Sequence, residues 1–459
     1  MDKDKFQDEC GVFGIFNMGN EQINTGKMTY YGLYALQHRG QESAGIATVD
    51  GEKMKSHKGM GLVADVFNEE ILEGLQGHAS IGHVRYSTAG GSNVENAQPL
   101  IGQFKLGDIA TAHNGNLVNA DILRELLEDS GHMFQTSTDS EVILKLIARK
   151  AKKGILKSVV DTMQAIKGSY GMVFLTDEFL IGVRDPNGIR PLCLGKYKES
   201  YIITSESCAI DAVGGEFLRD IEPGEIVIID KNEIKSIEIQ EKVSKSICAF
   251  EYIYFARPDS IMDDINIYES RVRAGKRLFE EKPVEADVVV GVPDSGIPAA
   301  LGFSEASGIP YALGLVKNRY VGRTFITPDQ ETRERAVSVK LNVLKSNVEG
   351  KRVVLIDDSI VRGTTSKKLI EILKKAGAKE VHLRISSPMV KYPCYFGIDT
   401  PYRKDLIASS CDEQEISEFI GADSTGYLSI EGLLWSLNGK KEFCLGCFEG
   451  VYPVNPSKI

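Results

Sequence analysis

The chain is expected to fold as an α+β domain followed by a parallel α/β domain. Three observations predict this. The first half, to about Gln240, holds short strand-like runs with few helices. The second half alternates near-continuous apolar strands with amphipathic helices, the pattern of a parallel sheet covered on both faces. A charged stretch, Lys231–Lys245, separates the two. At 459 residues the chain is long enough for two or three domains, each with a full core.

In the first half, Gly11–Phe16, Gly45–Val49, Ala79–Val84 and Ile109–His113 have the length and β-branched content of strands. Met28–Gln37 reads as a helix. Another is expected to begin near Thr138, where Thr138 and Glu141 have the spacing of a capping box ahead of Val142-Ile143-Leu144. In the second half, Asp287–Val292 is an apolar strand followed by a Gly/Pro turn and a helical stretch, Pro298–Glu305. Arg352–Ile356 is a second such strand. It leads through Asp357–Thr365 into a helix with Leu369, Ile370, Leu373 and Ala376 on one face, stopped by Gly377. Parallel sheets bind ligands beyond the carboxyl ends of their strands, where both of these connecting loops lie.

Composition excludes several classes. The chain is 42% hydrophobic and 26% charged, and no apolar run approaches the roughly 20 residues that span a bilayer. Met1-Asp2-Lys3-Asp4-Lys5 leads into no apolar segment of a secretory signal, so a cytoplasmic protein without membrane partners is expected. The net charge of −10 argues against a nucleic-acid binder but leaves room for local basic pockets. The cysteines Cys10, Cys193, Cys208, Cys248, Cys394, Cys411, Cys444 and Cys447 then read as metal-binding, catalytic or core rather than disulfide-bonded.

The run Val353-Val354-Leu355-Ile356-Asp357-Asp358-Ser359-Ile360-Val361-Arg362-Gly363-Thr364-Thr365 brings two carboxylates to a strand end and opens a helix through Gly and two Thr. Amides at a helix N-terminus, with hydroxyls beside them, cradle phosphate. The acids suit ribose hydroxyls or Mg²⁺, which takes oxygen ligands. The bland alternative is a capped helix after a surface turn. The acid pair followed by Gly-Thr-Thr resembles the signature of type I phosphoribosyltransferases. Gly291-Val292-Pro293-Asp294-Ser295-Gly296 resembles the pyrophosphate loop of that family, and is also ordinary turn chemistry. The resemblance implies that Asp294, Ser295, Gly296, Asp357, Asp358, Gly363, Thr364 and Thr365 hold 5-phosphoribosyl 1-pyrophosphate, with Ser295, Asp357 and Asp358 on the Mg²⁺ side. Between the loops, Lys317, Arg319, Arg323, Arg333, Arg335 and Lys340 make a basic stretch in an acidic chain. A solvated charged loop is one reading. The stretch also resembles the lid of glutamine phosphoribosylpyrophosphate amidotransferases, which closes over the diphosphate and excludes water. Lys317 and Arg319 are then expected to contact substrate.

Cys10-Gly11-Val12-Phe13-Gly14-Ile15 opens the first apolar strand, and alone would pass for a core cysteine. Downstream follow His38-Arg39-Gly40-Gln41-Glu42-Ser43-Ala44-Gly45, His83-Val84-Arg85-Tyr86-Ser87-Thr88, His113-Asn114-Gly115-Asn116-Leu117 and Thr138-Asp139-Ser140-Glu141. This ordered set resembles the glutaminase domain of class II amidotransferases, N-terminal-nucleophile hydrolases with a four-layer αββα core. The resemblance implies that Cys10 attacks the glutamine amide as thiolate and forms a thioester. Its freed α-amino group, with an unperturbed pKa of about 8, moves the proton. Asn114 and the Gly115 N–H would hold the oxyanion, Arg85 the substrate α-carboxylate and Asp139 its α-ammonium, with Arg39 shaping the site. Read singly, Asp139 is an acid favoured at a helix start and Asn114-Gly115 a type I′ turn. A free Cys10 amine requires loss of Met1–Glu9, which is expected to be a propeptide cut between Glu9 and Cys10.

Cys444-Leu445-Gly446-Cys447 is a CxxC, and with Cys248 and Cys394 would supply four thiolates. Spacing alone leaves zinc and iron–sulfur open. The leader-bearing branch of the amidotransferase family carries a [4Fe–4S] cluster, and the resemblance implies Cys248, Cys394, Cys444 and Cys447 as its ligands. Cys193, Cys208 and Cys411 read as small core residues.

The resemblance covers nearly the whole chain. It divides it into a propeptide, 1–9, a glutaminase domain, 10–240, and a phosphoribosyltransferase domain, 241–459, with a cysteine-rich C-terminal segment. A glucosamine-6-phosphate synthase would lack the Asp357-Asp358 loop, and a salvage phosphoribosyltransferase would lack the first half. A regulatory protein that only binds the phosphoribosyl ligand has no need of Cys10. The implied activity is glutamine-dependent amination of 5-phosphoribosyl 1-pyrophosphate in purine synthesis, by a homotetramer under feedback control by purine nucleotides.

Overall fold

A computed structural model describes residues 10–456, except 20, 22, 52, 87–90, 240–242, 319–340 and 401. Two antiparallel sheets build the first half. The seven-stranded sheet runs in the order Glu216–Asp220, Cys193–Tyr197, Ser200–Thr204, Gly11–Asn17, Ala79–Arg85, Ser43–Val49, Met54–Met60. The six-stranded sheet runs Ile234–Glu238, Glu225–Ile229, Leu180–Arg184, Gly168–Leu175, Gly107–Leu117, Leu100–Phe104.

Alternation along the strands decides the layering. Val12 and Phe16 point inward, where with Ala47 and Ile81 they meet Ala110, Ala112, Val173 and Val227 of the second sheet. Phe13 and Ile15 point outward against Leu33, Leu36 and Ile210, from around the helices Thr25–Ala35 and Ser207–Ala212. The helix Thr25–Ala35 comes in close because Gly32 has no side chain: a Cβ there would lie 2.3 Å from the Phe13 ring. The second sheet is covered by Ala120–Asp129, Asp139–Lys150 and Ile155–Met163 through Leu127, Ile143, Ile147 and Val159. The layers are therefore helix, sheet, sheet, helix, as the αββα expectation requires.

The second half is built on a four-stranded parallel sheet, Val288–Gly291, Arg352–Asp357, Glu380–Ile385, Ser424–Tyr427 in that order. Both faces are buried. Val289, Val354 and Ile356 pack on Ala274, Leu278, Ala300 and Phe303, and Val288, Val290, Val353 and Leu355 on Leu369, Ile370 and Leu373. Gly291 lies opposite Ile356, so the loops that follow these two strands start side by side. Among the described residues no helix is long and apolar enough to cross a membrane.

Two local expectations are corrected. Thr138 does precede the helix Asp139–Lys150, but no capping box forms. Its hydroxyl is engaged with Thr136 Oγ1 at 2.9 Å, and the Glu141 carboxylate turns back to the amides of Gln135 and Thr136 at 3.0 and 2.7 Å. The charged stretch Lys231–Lys245 is not wholly a connection. Its Ile234–Glu238 part is the exposed edge strand of the six-stranded sheet, where charged side chains face water and blunt the edge. Residues 240–242, where the domain boundary was expected, lie outside the described residues, as does Met1–Glu9.

Candidate active site

Cys10 directly precedes the strand Gly11–Asn17 and is buried. Its Sγ donates to the Tyr86 carbonyl at 3.4 Å. Burial pushes the thiol up to about 11; the Tyr86 bond and the charges of Arg85 and Arg39 work against this, and Asp139 adds to it. The cysteine therefore rests as a thiol and needs a base to become a nucleophile. Arg85, which closes the strand Ala79–Arg85, is itself nearly fully buried.

Asp139 is the first residue of its helix, yet it is more than an acid at a helix start. Its carboxylate accepts the Leu117 amide at 3.0 Å and lies 3.4 Å from His113 Nδ1. Burial works to raise its pKa, but His113 and the amides outweigh burial and hold it below the ordinary carboxylate value. It is thus a buried anion, suited to an ammonium group. Asn114 and Gly115 are not a turn. They lie within the strand Gly107–Leu117, opposite Gly171 and Tyr170. Gly115 has φ +142°, and a Cβ on it would sit 2.1 Å from the Ser169 carbonyl, so no other residue fits. Asn114 is 1% exposed, and its Nδ2 donor has no partner among the described residues. An unmet buried donor is costly, and here it is available to an incoming oxyanion.

The sequence did not reveal what holds Arg39. Its Nε donates to the Cys10 carbonyl at 3.1 Å, Nη1 meets Glu206 at 2.5 Å, and Nη2 meets Glu251 at 2.7 Å. Both glutamates are fully buried. Burial alone would lower the Arg39 pKa, but Glu251 and Glu206 outweigh it and hold the guanidinium charged. His83 and His113 were also passed over. Burial depresses His83 to about 3, so it is a neutral ring, 3.0 Å from the His113 carbonyl.

In the second half, Ser295 donates to Asp358, which also accepts from Ser359 Oγ at 2.6 Å. The Asp358 amide is bonded to the Asp357 carboxylate at 2.9 Å, and both acids are buried at the strand end. This joins the two sequence-predicted loops through Ser295, Asp357 and Asp358, an oxygen-rich set of the kind Mg²⁺ takes. Gly363, at φ +83°, turns the chain into the helix Thr364–Lys375, which no side chain caps. The side-chain cap of the capped-helix alternative is absent, and a helix start of this kind suits a phosphate. Asp294 is paired with Lys317 at 3.0 Å, and Gly296 leads into the helix Ile297–Ser307. Arg271 was not foreseen. Burial lowers it to about 10, with Asp358 the largest opposing charge. Arg319, Arg323, Arg333, Arg335 and Lys340 lie outside the described residues.

Residues 83–212 match the model of a glutamine amidotransferase domain, and residues 263–417 that of a phosphoribosyl transferase domain. An amidophosphoribosyltransferase of Methanocaldococcus jannaschii is 52% identical, over 98% of this chain and 99% of its own length. The chain belongs to the amidophosphoribosyltransferase family. The Bacillus subtilis amidophosphoribosyltransferase is 50% identical, over 97% of this chain and 94% of its own. Among solved structures, the glutamine phosphoribosylpyrophosphate amidotransferase of B. subtilis complexed with ADP and GMP superposes with a TM-score of 0.92 at 49% identity, covering 97% of this chain and 98% of that one. Another, described as the allosteric regulatory enzyme of purine biosynthesis, gives 0.93 at 50% identity, covering 97% and 96%.

This member of the amidophosphoribosyltransferase family also gathers four cysteines. Cys248 and Cys444 lie in register on paired parallel strands, and Cys394 and Cys447 pack in the same core. Amides two residues beyond each turn to the sulfurs of Cys248, Cys394 and Cys444; that of Phe396 is 3.3 Å from Cys394 Sγ. Burial pushes Cys248 up to about 12 and raises Cys444 and Cys447, and neighbouring cysteines add to this for all three. Among the described residues no three His, Cys, Asp or Glu side chains close on one point as ligands of a metal ion. Thiolates with amides on their sulfurs are the type of donor that iron–sulfur clusters use.

Proposed function

We propose that the chain transfers the amide nitrogen of glutamine to C1 of 5-phosphoribosyl 1-pyrophosphate, giving 5-phosphoribosylamine, glutamate and pyrophosphate, the first committed step of purine synthesis. One observation carries this. A single chain, 50–52% identical over nearly its whole length to amidophosphoribosyltransferases, holds both the Cys10 constellation and the Ser295–Asp357–Asp358 loop pair.

The glutaminase domain is 10–240 and the phosphoribosyltransferase domain 241–459. Met1–Glu9 is removed, and the freed Cys10 amine takes the thiol proton that burial otherwise retains. The thiolate attacks the amide carbon, and the oxyanion meets Asn114 Nδ2 and the Gly115 N–H. Arg85 and Asp139 hold the α-carboxylate and α-ammonium, and Arg39 fixes the Cys10 carbonyl. The C–N bond breaks, ammonia departs with the returned proton, and water hydrolyses the thioester to glutamate. Ammonia then reaches the second site by an internal path and attacks C1 as pyrophosphate leaves. Asp294, Gly296, Gly363, Thr364, Thr365, Lys317 and Arg319 bind the phosphates. Ser295, Asp357 and Asp358 would hold Mg²⁺, whose charge offsets that of the departing diphosphate.

The chain is assigned to the propeptide-bearing branch, with Cys248, Cys394, Cys444 and Cys447 holding a [4Fe–4S] cluster. The packing of the four cysteines in one core and the amides directed at three of their sulfurs support this. On active protein purified without air, the intact mass is expected to begin at Cys10, with about four iron and four sulfide per chain. All 459 residues retained would refute the processing, and zinc without sulfide would refute the cluster. A cytoplasmic homotetramer, inhibited by purine nucleotides, completes the reading. The binding of ADP and GMP by the B. subtilis enzyme supports the nucleotide part.

The activity is tested by following glutamate and pyrophosphate together, with glutamine, 5-phosphoribosyl 1-pyrophosphate and Mg²⁺ supplied. Equal yields are expected. Cys10→Ala is expected to lose glutamine-dependent turnover and to keep turnover with ammonia. Glutamate without pyrophosphate would mean that the second domain serves another acceptor.

A further inference from the structure

The strand that carries Asn114 and Gly115 is backed by a loop from the other half of the chain. Asn116 Nδ2 donates to the Tyr395 carbonyl at 3.0 Å. Ser169 Oγ, on the neighbouring strand, donates to the Phe396 carbonyl at 2.7 Å, and Arg190 Nε, from the connection after the strand Leu180–Arg184, donates to the same oxygen at 2.8 Å. Gly397 then lies directly on Gly115: a Cβ built on it would stand 3.0 Å from the Gly115 carbonyl carbon and 3.1 Å from its Cα. Gly397 has φ +100°, so both conformation and space reserve the position for glycine. Phe396 is buried in the core of the second half, which ties the loop to that half as firmly as its carbonyl is tied to the first.

Gly115 needs such support. At φ +142° and without a side chain, its own sterics restrict the direction of its N–H weakly. An oxyanion donor must nonetheless point to within a fraction of an ångström of where charge develops. Its strand partner Tyr170 and the Ser169 carbonyl restrain one side. The other is closed by Gly397.

We propose that the loop Tyr395-Phe396-Gly397 is a positioning element for the oxyanion hole of the glutamine site, so that glutamine chemistry in the first half depends on a brace from the second. This rests on the reading of Asn114 and Gly115 as oxyanion donors. The loop acts on the transition state through Gly115, and so on kcat rather than on glutamine binding.

Full-length Gly397→Ala and Asn116→Ala test this, beside Asn114→Ala, which tests the oxyanion reading itself. Each is assayed with glutamine and, separately, with ammonia, in the presence of 5-phosphoribosyl 1-pyrophosphate and Mg²⁺. Gly397→Ala is expected to lower the glutamine kcat about 10- to 100-fold, with KM for glutamine and the ammonia-dependent rate within about twofold of wild type. Asn116→Ala, which removes one anchor, is expected to show a smaller loss of the same kind. A wild-type glutamine kcat in both loop variants, with Asn114→Ala impaired, overturns the brace and leaves the oxyanion reading standing. Both rates falling in step in Asn116→Ala also overturns the brace, because it indicates a general structural role. A wild-type kcat in Asn114→Ala overturns the oxyanion reading, and the brace with it.

Discussion

Replacing Asp358 with Asn is expected to lower pyrophosphate release about 10²- to 10³-fold, and equally with glutamine or ammonia as nitrogen source. The side chain keeps its shape and loses its charge. Asp358 is fully buried and accepts hydrogen bonds from both Ser295 and Ser359. An amide presents only one oxygen where these hydroxyls point, so one donor is left facing an NH₂ group, a local cost of about 1–2 kcal/mol. The larger loss is chemical, because on the proposed assignment this carboxylate is one of the ligands offered to Mg²⁺. Glutamine hydrolysis at Cys10 measured without the second substrate is expected to persist, which separates this effect from unfolding. An Asp358→Asn enzyme within about threefold of wild type on ammonia would remove Asp358 from the phosphoribosyl site. Asp357→Asn is the less clean test, because Asp357 also accepts the Asp358 amide and so shapes the loop.

What was legible in the sequence was local. The strand Arg352–Asp357, its acids and the Gly-Thr-Thr turn are contiguous, so chemistry and structure could be read in one pass. The layered first half was legible in its strands, because Val12 and Phe13 must face opposite sides of a sheet buried on both. Local rules misled where a distant partner outbid a near one. Thr138 and Glu141 have capping-box spacing, but Glu141 found the amides of Gln135 and Thr136. For Asn114-Gly115 the turn was only the alternative reading, and pairing with the strand Gly168–Leu175 sets it aside. Arg39 was readable as a site residue, whereas Glu206 and Glu251 were not. Nothing near an isolated glutamate announces a partner 167 or 212 positions away. Arg271 and the Tyr395–Gly397 loop were missed for the same reason.

Arg39→Leu is expected to cost about 3–5 kcal/mol of stability at pH 8, the usual penalty for removing one partner of a buried ionic group. Glu206 and Glu251 meet the guanidinium at 2.5 and 2.7 Å, and neither is exposed. Without it, two buried carboxylates face each other. Glu206 keeps His38 at 2.7 Å, the Ser260 hydroxyl at 2.7 Å, the Arg257 amide at 2.9 Å and the Cys208 thiol at 3.7 Å; Glu251 keeps Arg190 at 3.6 Å. The sign of the pH dependence follows. In the wild type, burial would raise the Glu206 pKa, but His38 and Arg39 outweigh burial and hold it well below the ordinary carboxylate value. Its contribution is therefore present above that ordinary value and is lost only in strong acid. In the variant the Arg39 charge no longer opposes burial at Glu206, so the Glu206 pKa rises and the variant loses stability as pH rises through the new value. The wild-type-minus-variant difference in unfolding midpoint is expected to be larger at pH 8 than at pH 5. Adding Glu251→Gln to Arg39→Leu is expected to recover part of the loss at pH 8, because it removes one of two like charges left buried together. A single-variant loss independent of pH, or no recovery in the double variant, would mean that the cost lies in packing rather than in the paired charges.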